Sequence, residues 1–113
     1  MLKAIATAVA GVCCFAIPGE SGGTMLSSWY GPGFHGRQTA NGDIYNMYGN
    51  TAAHRQLPFG TKLRVCYKGC VDVLVNDRGP FIGLRELDLS YGAARRIGLL
   101  DIGVAAVDVK IIR

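Results

Sequence analysis

Apolar and polar residues alternate along several stretches of this chain, and a period of two is what a strand with one buried face requires. Leu63, Val65, Val71 and Val73 fall on one face of the run 63–73, while Arg64, Cys66, Cys70 and Asp72 fall on the other. Gly69 sits in the short connection between the cysteines, so 61–67 and 70–76 read as the two arms of a hairpin with a three-residue loop. At the end of the chain, 104–113 alternates Ala105, Val107, Val109 and Ile111 against Ala106, Asp108, Lys110 and Ile112, a final strand. Shorter strands are expected at 25–30, ending in Trp29 and Tyr30, at 51–54, and around Leu87 and Leu89. Ser90 is a suitable N-cap for a short helix over 91–97, with Ala94 and Ile97 on one side and Gly98 as its stop. Glycine and proline make 31–36 a loop, and Leu57-Pro58-Phe59-Gly60 stops the strand before it. The turn Thr39-Ala40-Asn41-Gly42-Asp43 is expected to start a helical piece through Tyr45 and Met47. The pattern predicts an all-β domain with one or two short helices. Strands this short leave exposed edges unless the sheet closes, so a small six-stranded barrel is the expected architecture.

With 113 residues there is room for one compact domain. Its start, Met1-Leu2-Lys3 followed by an uncharged apolar run to Ile17, has the form of a secretory signal and is short for a membrane span. The expected division is a signal peptide over 1–16, a linker over 17–24 and a folded domain over 25–113. Loss of Lys3 with the signal leaves 11 basic against 8 acidic side chains, about +3. That charge suits an anionic matrix. It is too weak and scattered for nucleic acid, because no basic stripe interleaves with aromatics. Export, a monomer and no stable membrane insertion after cleavage are the expectations.

Cleavage also removes Cys13 and Cys14, leaving Cys66 and Cys70 on one face of the hairpin. In an exported protein a disulfide between them is expected, pinning register more than adding stability. Zinc is disfavoured, since His35 and His54 are not a closely spaced pair. No metal or cofactor is expected.

The candidate chemistry lies in 76–90. Asp77 stands where the apolar alternation of Val71, Val73 and Val75 meets an Arg-Gly-Pro turn, and Asp88 lies between Leu87 and Leu89 on the face opposite them. Two carboxyls on rigid elements are candidates for acid/base work. The competing reading is structural: Asp77 caps its own turn and Asp88 pairs with Arg85 or Arg78. Trp29, Tyr30 and Phe34 offer a surface for sugar rings to stack on, or else close a small core.

Taken together, these residues resemble a known family, the rare lipoprotein A (RlpA-like) domain, a double-psi β-barrel. The resemblance runs through Ser28-Trp29-Tyr30-Gly31, Phe34-His35-Gly36, Thr39-Ala40-Asn41-Gly42, Thr51-Ala52-Ala53-His54, Leu57-Pro58-Phe59-Gly60-Thr61, Asn76-Asp77-Arg78-Gly79-Pro80-Phe81, Leu87-Asp88-Leu89-Ser90 and Gly103-Val104-Ala105. It covers essentially all of the expected mature chain. It implies a lytic transglycosylase acting on peptidoglycan glycan strands stripped of stem peptides, in a barrel shared with expansins and with membrane-bound lytic transglycosylase A.

By position, the resemblance implies that Asp77 is the essential aspartate, His54 the functional histidine, and Asp43 the counterpart of a usual glutamate. Asp88 matches the aspartate that related barrels use at the sugar groove. The expected roles are Asp77 as acid/base, Asp88 or Asp43 as the neighbouring charge, and His54 as a hydrogen-bond donor to substrate or a group that orients a carboxylate. Trp29, Tyr30, Phe34 and Arg78 are expected to contact the glycan. The chain departs from the family in three ways: Asp43 is one methylene shorter than glutamate, the hairpin is short and carries the cysteine pair, and Ala10-Gly11-Val12 before Cys13 is a poor lipobox. Lipid anchoring is therefore not expected. A non-catalytic expansin-like wall-binding module and a protein-interaction barrel are the competing classes.

Overall fold

The computed structural model describes residues 22–112. The expected signal peptide, its cleavage point, Cys13 and Cys14 lie outside the described residues. Six strands close into a barrel in the order β1-β5-β2-β4-β3-β6. They are β1 Gly22–Tyr30, β2 Thr51–His54, β3 Lys62–Cys66, β4 Cys70–Asp77, β5 Leu87–Ser90 and β6 Ala105–Ile111, with helix α1 Tyr91–Ile97 between the last two. Two neighbouring pairs, β1–β5 and β2–β4, run parallel, and β5 joins them by pairing antiparallel with β2. Closure comes from β6, which is antiparallel to both β1 and β3. Among the described residues no helix is long and apolar enough to cross a membrane.

The alternation sorts as its period demands. Leu63, Val65, Val73, Val75, Leu87, Leu89, Val107 and Val109 point into one core, closed by Ala93, Ala94, Ile97 and Leu99. Arg64 faces Asp72 on the outer surface of the hairpin as a two-pronged ion pair, with N–O distances of 2.8 and 3.0 Å. Cys66 and Cys70 sit opposite one another and are joined by a disulfide.

Two expectations need correction. β1 starts at Gly22, three residues before Met25, because Gly22–Thr24 pair with Asp108–Lys110 of β6; these residues are strand rather than linker. The helical piece through Tyr45 and Met47 does not form. Tyr45 and Met47 are buried while Asn46 and Tyr48 are exposed, a period of two that no helix satisfies. Instead, Gln38 bridges Ile44, and the Tyr45 amide donates to the Arg37 carbonyl at 2.8 Å. A short 3-10 turn lies earlier, at Pro32–Phe34, inside the expected loop.

Candidate active site

Strict alternation along β4 would put Asp77 on the same side as Val75, inside the core. The register between β2 and β4 prevents this: Ala52 pairs with Val75, but Ala53 pairs with Asp77, so Asn76 is an extra residue. A bulge of this kind re-aims the side chain that follows it. Asp77 is thereby turned to the outer face. On the other side of β2, Ala53 pairs with Asp88, and Asp88 pairs with Ser28 of β1. One row thus crosses four strands in the order Ser28, Asp88, Ala53, Asp77. All four line a single cleft of about 580 Å3. The two aspartates are two strand spacings apart, roughly 9–10 Å between Cα atoms, and only the methyl of Ala53 stands between them.

Each carboxyl is held differently. The backbone N–H groups of Ala40 and Arg78 both donate to Asp77 Oδ1 at 2.9 Å, which leaves Oδ2 outside these two bonds. Ser28 Oγ donates to Asp88 Oδ1 at 2.9 Å. Burial pushes the Asp88 carboxyl up to about 6; the Ser28 hydrogen bond and the charge of Arg85 oppose the rise, and the charge of Asp77 adds to it. The structural reading of the sequence is thus half right: Asp77 does cap its own turn, but Asp88 makes no ion pair with either arginine among the described residues.

Trp29, Tyr30 and Phe34 all line the cleft. The Tyr30 ring stacks on Tyr45 at 4.5 Å, Phe34 meets Tyr30 edge-on at 5.6 Å, and Trp29 meets Tyr91 edge-on at 5.7 Å. They form an angled wall rather than one flat platform. Burial, then the charges of Asp77, Tyr45 and Asp88, drive the Tyr30 phenol well above its ordinary range, so it remains neutral.

His54 and Asp43 do not line the cleft. His54 Nδ1 accepts the backbone N–H groups of Gln56 and Leu57, both at 3.1 Å, so the ring proton of the neutral form is on Nε2. Burial, and then the charge of Arg55, lowers its pKa, with Glu86 opposing and Arg78 assisting. Asp43 is exposed, and its Oδ2 accepts from Asn41 at 3.1 Å and from Asn76, the bulge residue, at 3.4 Å. It braces the 39–43 turn whose Ala40 amide holds Asp77. Arg78 lines the cleft, but its guanidinium is engaged by the His54 carbonyl at 3.2 Å and lies 3.9 Å from the centre of the Phe59 ring.

Of the cleft residues that the sequence did not single out as part of the site, Ser28, Ala53 and Arg85 bear most directly on the two carboxyls. Ser28 and Ala53 are small and carry no chemical signature; only strand register brings them into the row. Arg85 has a usable signal in the sequence, a cation in the loop that joins Asp77 to Asp88.

Residues 23–109 match the family model described as lytic transglycolase. Over 91 residues the chain is 54% identical to the probable endolytic peptidoglycan transglycosylase RlpA of Synechocystis, covering 78% of this chain and 28% of that protein. To the endolytic peptidoglycan transglycosylase RlpA of Campylobacter jejuni it is 49% identical over 90 residues, covering 77% and 33%. The chain therefore spans about a third or less of the length of these curated relatives. Among solved structures, the Streptomyces papain inhibitor superposes with a TM-score of 0.67 at 24% identity, over 87% of this chain and all of that one. The Clavibacter michiganensis expansin gives 0.67 at 23%, over 82% of this chain and 51% of its own. At those identities the two likenesses concern the fold alone. The match across nearly every described residue, the closed barrel and the identity to RlpA proteins lead to one conclusion: the chain belongs to the lytic transglycolase family, as an RlpA-like double-psi β-barrel domain.

Proposed function

We propose that this domain is an exported endolytic transglycosylase that cleaves peptidoglycan glycan strands lacking stem peptides and leaves 1,6-anhydromuramic acid ends. The observation that carries the reading is the row Ser28, Asp88, Ala53, Asp77, which sets two carboxyls on one cleft beside an aromatic wall.

The reaction needs a single proton carrier. A carboxylic acid protonates the glycosidic oxygen as the C1–O bond breaks. The muramic acid 6-hydroxyl then bonds to C1, and its proton returns to the same carboxylate. No water is activated, unlike the two-carboxylate hydrolases. Asp88 is the acid/base in this scheme, because burial is what keeps a carboxyl protonated toward neutral pH. Asp77, with Oδ1 fixed by two amides, directs Oδ2 at the positive charge developing on the sugar ring. These roles exchange those expected from the resemblance. His54 and Asp43 act at one remove, His54 through its carbonyl on Arg78 and Asp43 through Asn76 on the Asp77 turn.

The test is the pH profile of anhydro-end formation from peptide-free strands. Wild-type activity should fall on the alkaline side with an apparent pKa near 6. In Asp88→Asn the rate should drop on the order of 10²-fold or more, with glycan binding kept and the limb gone. In Asp77→Asn the rate should also drop, but the limb should persist and move to lower pH, since the charge of Asp77 raises Asp88. A limb that disappears in Asp77→Asn and survives in Asp88→Asn returns the acid/base role to Asp77. Binding without anhydro ends in any protein, wild type included, makes the domain an expansin-like binding module.

A further inference from the structure

The cleft contains two arginines, and they are not equivalent. Arg78 is committed to the His54 carbonyl and the Phe59 ring. Arg85 is the opposite case: its main chain is tied down and its side chain is not. Its amide donates to the Ile82 carbonyl at 3.2 Å, and its carbonyl accepts from Arg55 Nη1 at 2.8 Å. The same Arg55 nitrogen holds the Pro80 carbonyl, also at 2.8 Å, so one guanidinium clamps both ends of the loop that walls the cleft. The next residue, Glu86, is fastened to β1 through two hydrogen bonds with the Leu26 backbone. Yet among the described residues the Arg85 guanidinium has no hydrogen bond and no ion pair, although it is half-buried and lines the cleft. An unpaired guanidinium carried on a fixed, half-buried stretch of backbone in a largely aromatic and aliphatic cleft calls for a planar anion, and a carboxylate satisfies its fork of donors.

We propose that Arg85 binds the free lactyl carboxylate of a muramic acid residue in the cleft, and thereby restricts the domain to strands from which stem peptides have been removed. The inference rests on the glycan-cleaving reading of this same cleft. In a wall polymer of N-acetylglucosamine and N-acetylmuramic acid, the lactyl group is the one substituent able to carry a negative charge. While a stem peptide is attached, that group is a neutral amide and offers no charge-assisted pair. Binding has a second consequence. The charge of Arg85 holds the Asp88 carboxyl down; a substrate carboxylate that neutralises it strengthens the hold of Asp88 on its proton, so the correct strand arms the acid.

Two polymers of equal length make the test: amidase-stripped strands with free lactyl carboxylates, and the same strands with those carboxylates converted to primary amides. Affinities are measured in an Asp88→Asn background, which keeps the strands intact. The protein with Arg85 should bind the free-acid strands about tenfold to hundredfold more tightly, the range of a charge-assisted pair. Arg85→Gln should bind both polymers alike and weakly, and Arg85→Lys should keep part of the preference. The difference should shrink with salt. Equal binding of the two polymers by the protein with Arg85, no binding to either, or a preference that persists in Arg85→Gln with matched thermal stability overturns the proposal. Absence of anhydro ends from wild-type protein sinks the reaction instead and leaves the binding comparison standing.

Discussion

Asp88 couples folding to pH in a direction opposite to most surface acids. Its carboxyl is raised in the native state from an ordinary 3.8 to about 6. Between those values the native protein binds a proton that the unfolded chain releases, so unfolding free energy falls as pH rises through about 4 to 6 and stays lower above. The full shift corresponds to about 3 kcal/mol, and partial exposure brings it nearer 1–2 kcal/mol. Asp88→Asn keeps an oxygen for the Ser28 hydroxyl and has no charge to bury. We therefore expect Asp88→Asn to be more stable than wild type in urea denaturation at pH 8, by about 1–2 kcal/mol, with the difference gone only below the unfolded value of 3.8, by roughly pH 3. A variant less stable than wild type at pH 8 would show that the carboxylate is better solvated than its position implies. Ser28→Ala tests the same electrostatics: losing a hydrogen bond that lowers Asp88 should move the alkaline limb of activity to higher pH.

At the scale of elements, α1 is fastened to the barrel through its first turn. Ser90 Oγ accepts the amides of Ala93 and Thr51 and donates to the Gly49 carbonyl, joining helix, β2 and the preceding loop. Gly92 follows, and its amide donates to the Met47 carbonyl at 2.7 Å. A Cβ on Gly92 would lie 2.6 Å from the Tyr48 carbonyl oxygen, a backbone atom that cannot swing aside. Gly92→Ala should thus destabilise the domain by about 1–3 kcal/mol by overpacking, despite alanine's better helix propensity; stability unchanged in chemical denaturation would mean that the 46–49 loop yields freely. The far end of α1 meets the hairpin, where the Lys68 amide donates to the Ile97 carbonyl at 3.0 Å and the left-handed Gly98 closes the helix.

Across the whole molecule, closure makes the disulfide secondary. β3 is also paired with β6, and β4 with β2, so the hairpin is held on both flanks without its sulfurs. Reduction should leave the far-UV circular dichroism unchanged and remove about 2 kcal/mol of stability or less, as the small loop closed by the bond implies. Loss of the β signal on reduction would show that the bond is needed for the barrel itself. What the sequence determined by itself is the set of strands, the inward apolar residues, the cysteine pairing and the α1 caps, because each depends on period or on neighbours a few residues apart. The turn after Asp77 and the alternation around Asp88 singled out both acids, and the resemblance supplied their expected roles. Only the tertiary structure decided how they meet. The bulge at Asn76 turns Asp77 outward against the parity of its own strand, and the pairings of β1, β5 and β2 bring Ser28 and Ala53 beside Asp88. The burial of Tyr45 and Met47 replaced a helix by extended chain, and one arginine was occupied while the other was left facing the cleft. Those outcomes depend on contacts between residues far apart in sequence, and alternation along a single strand carries no information about its partner's register.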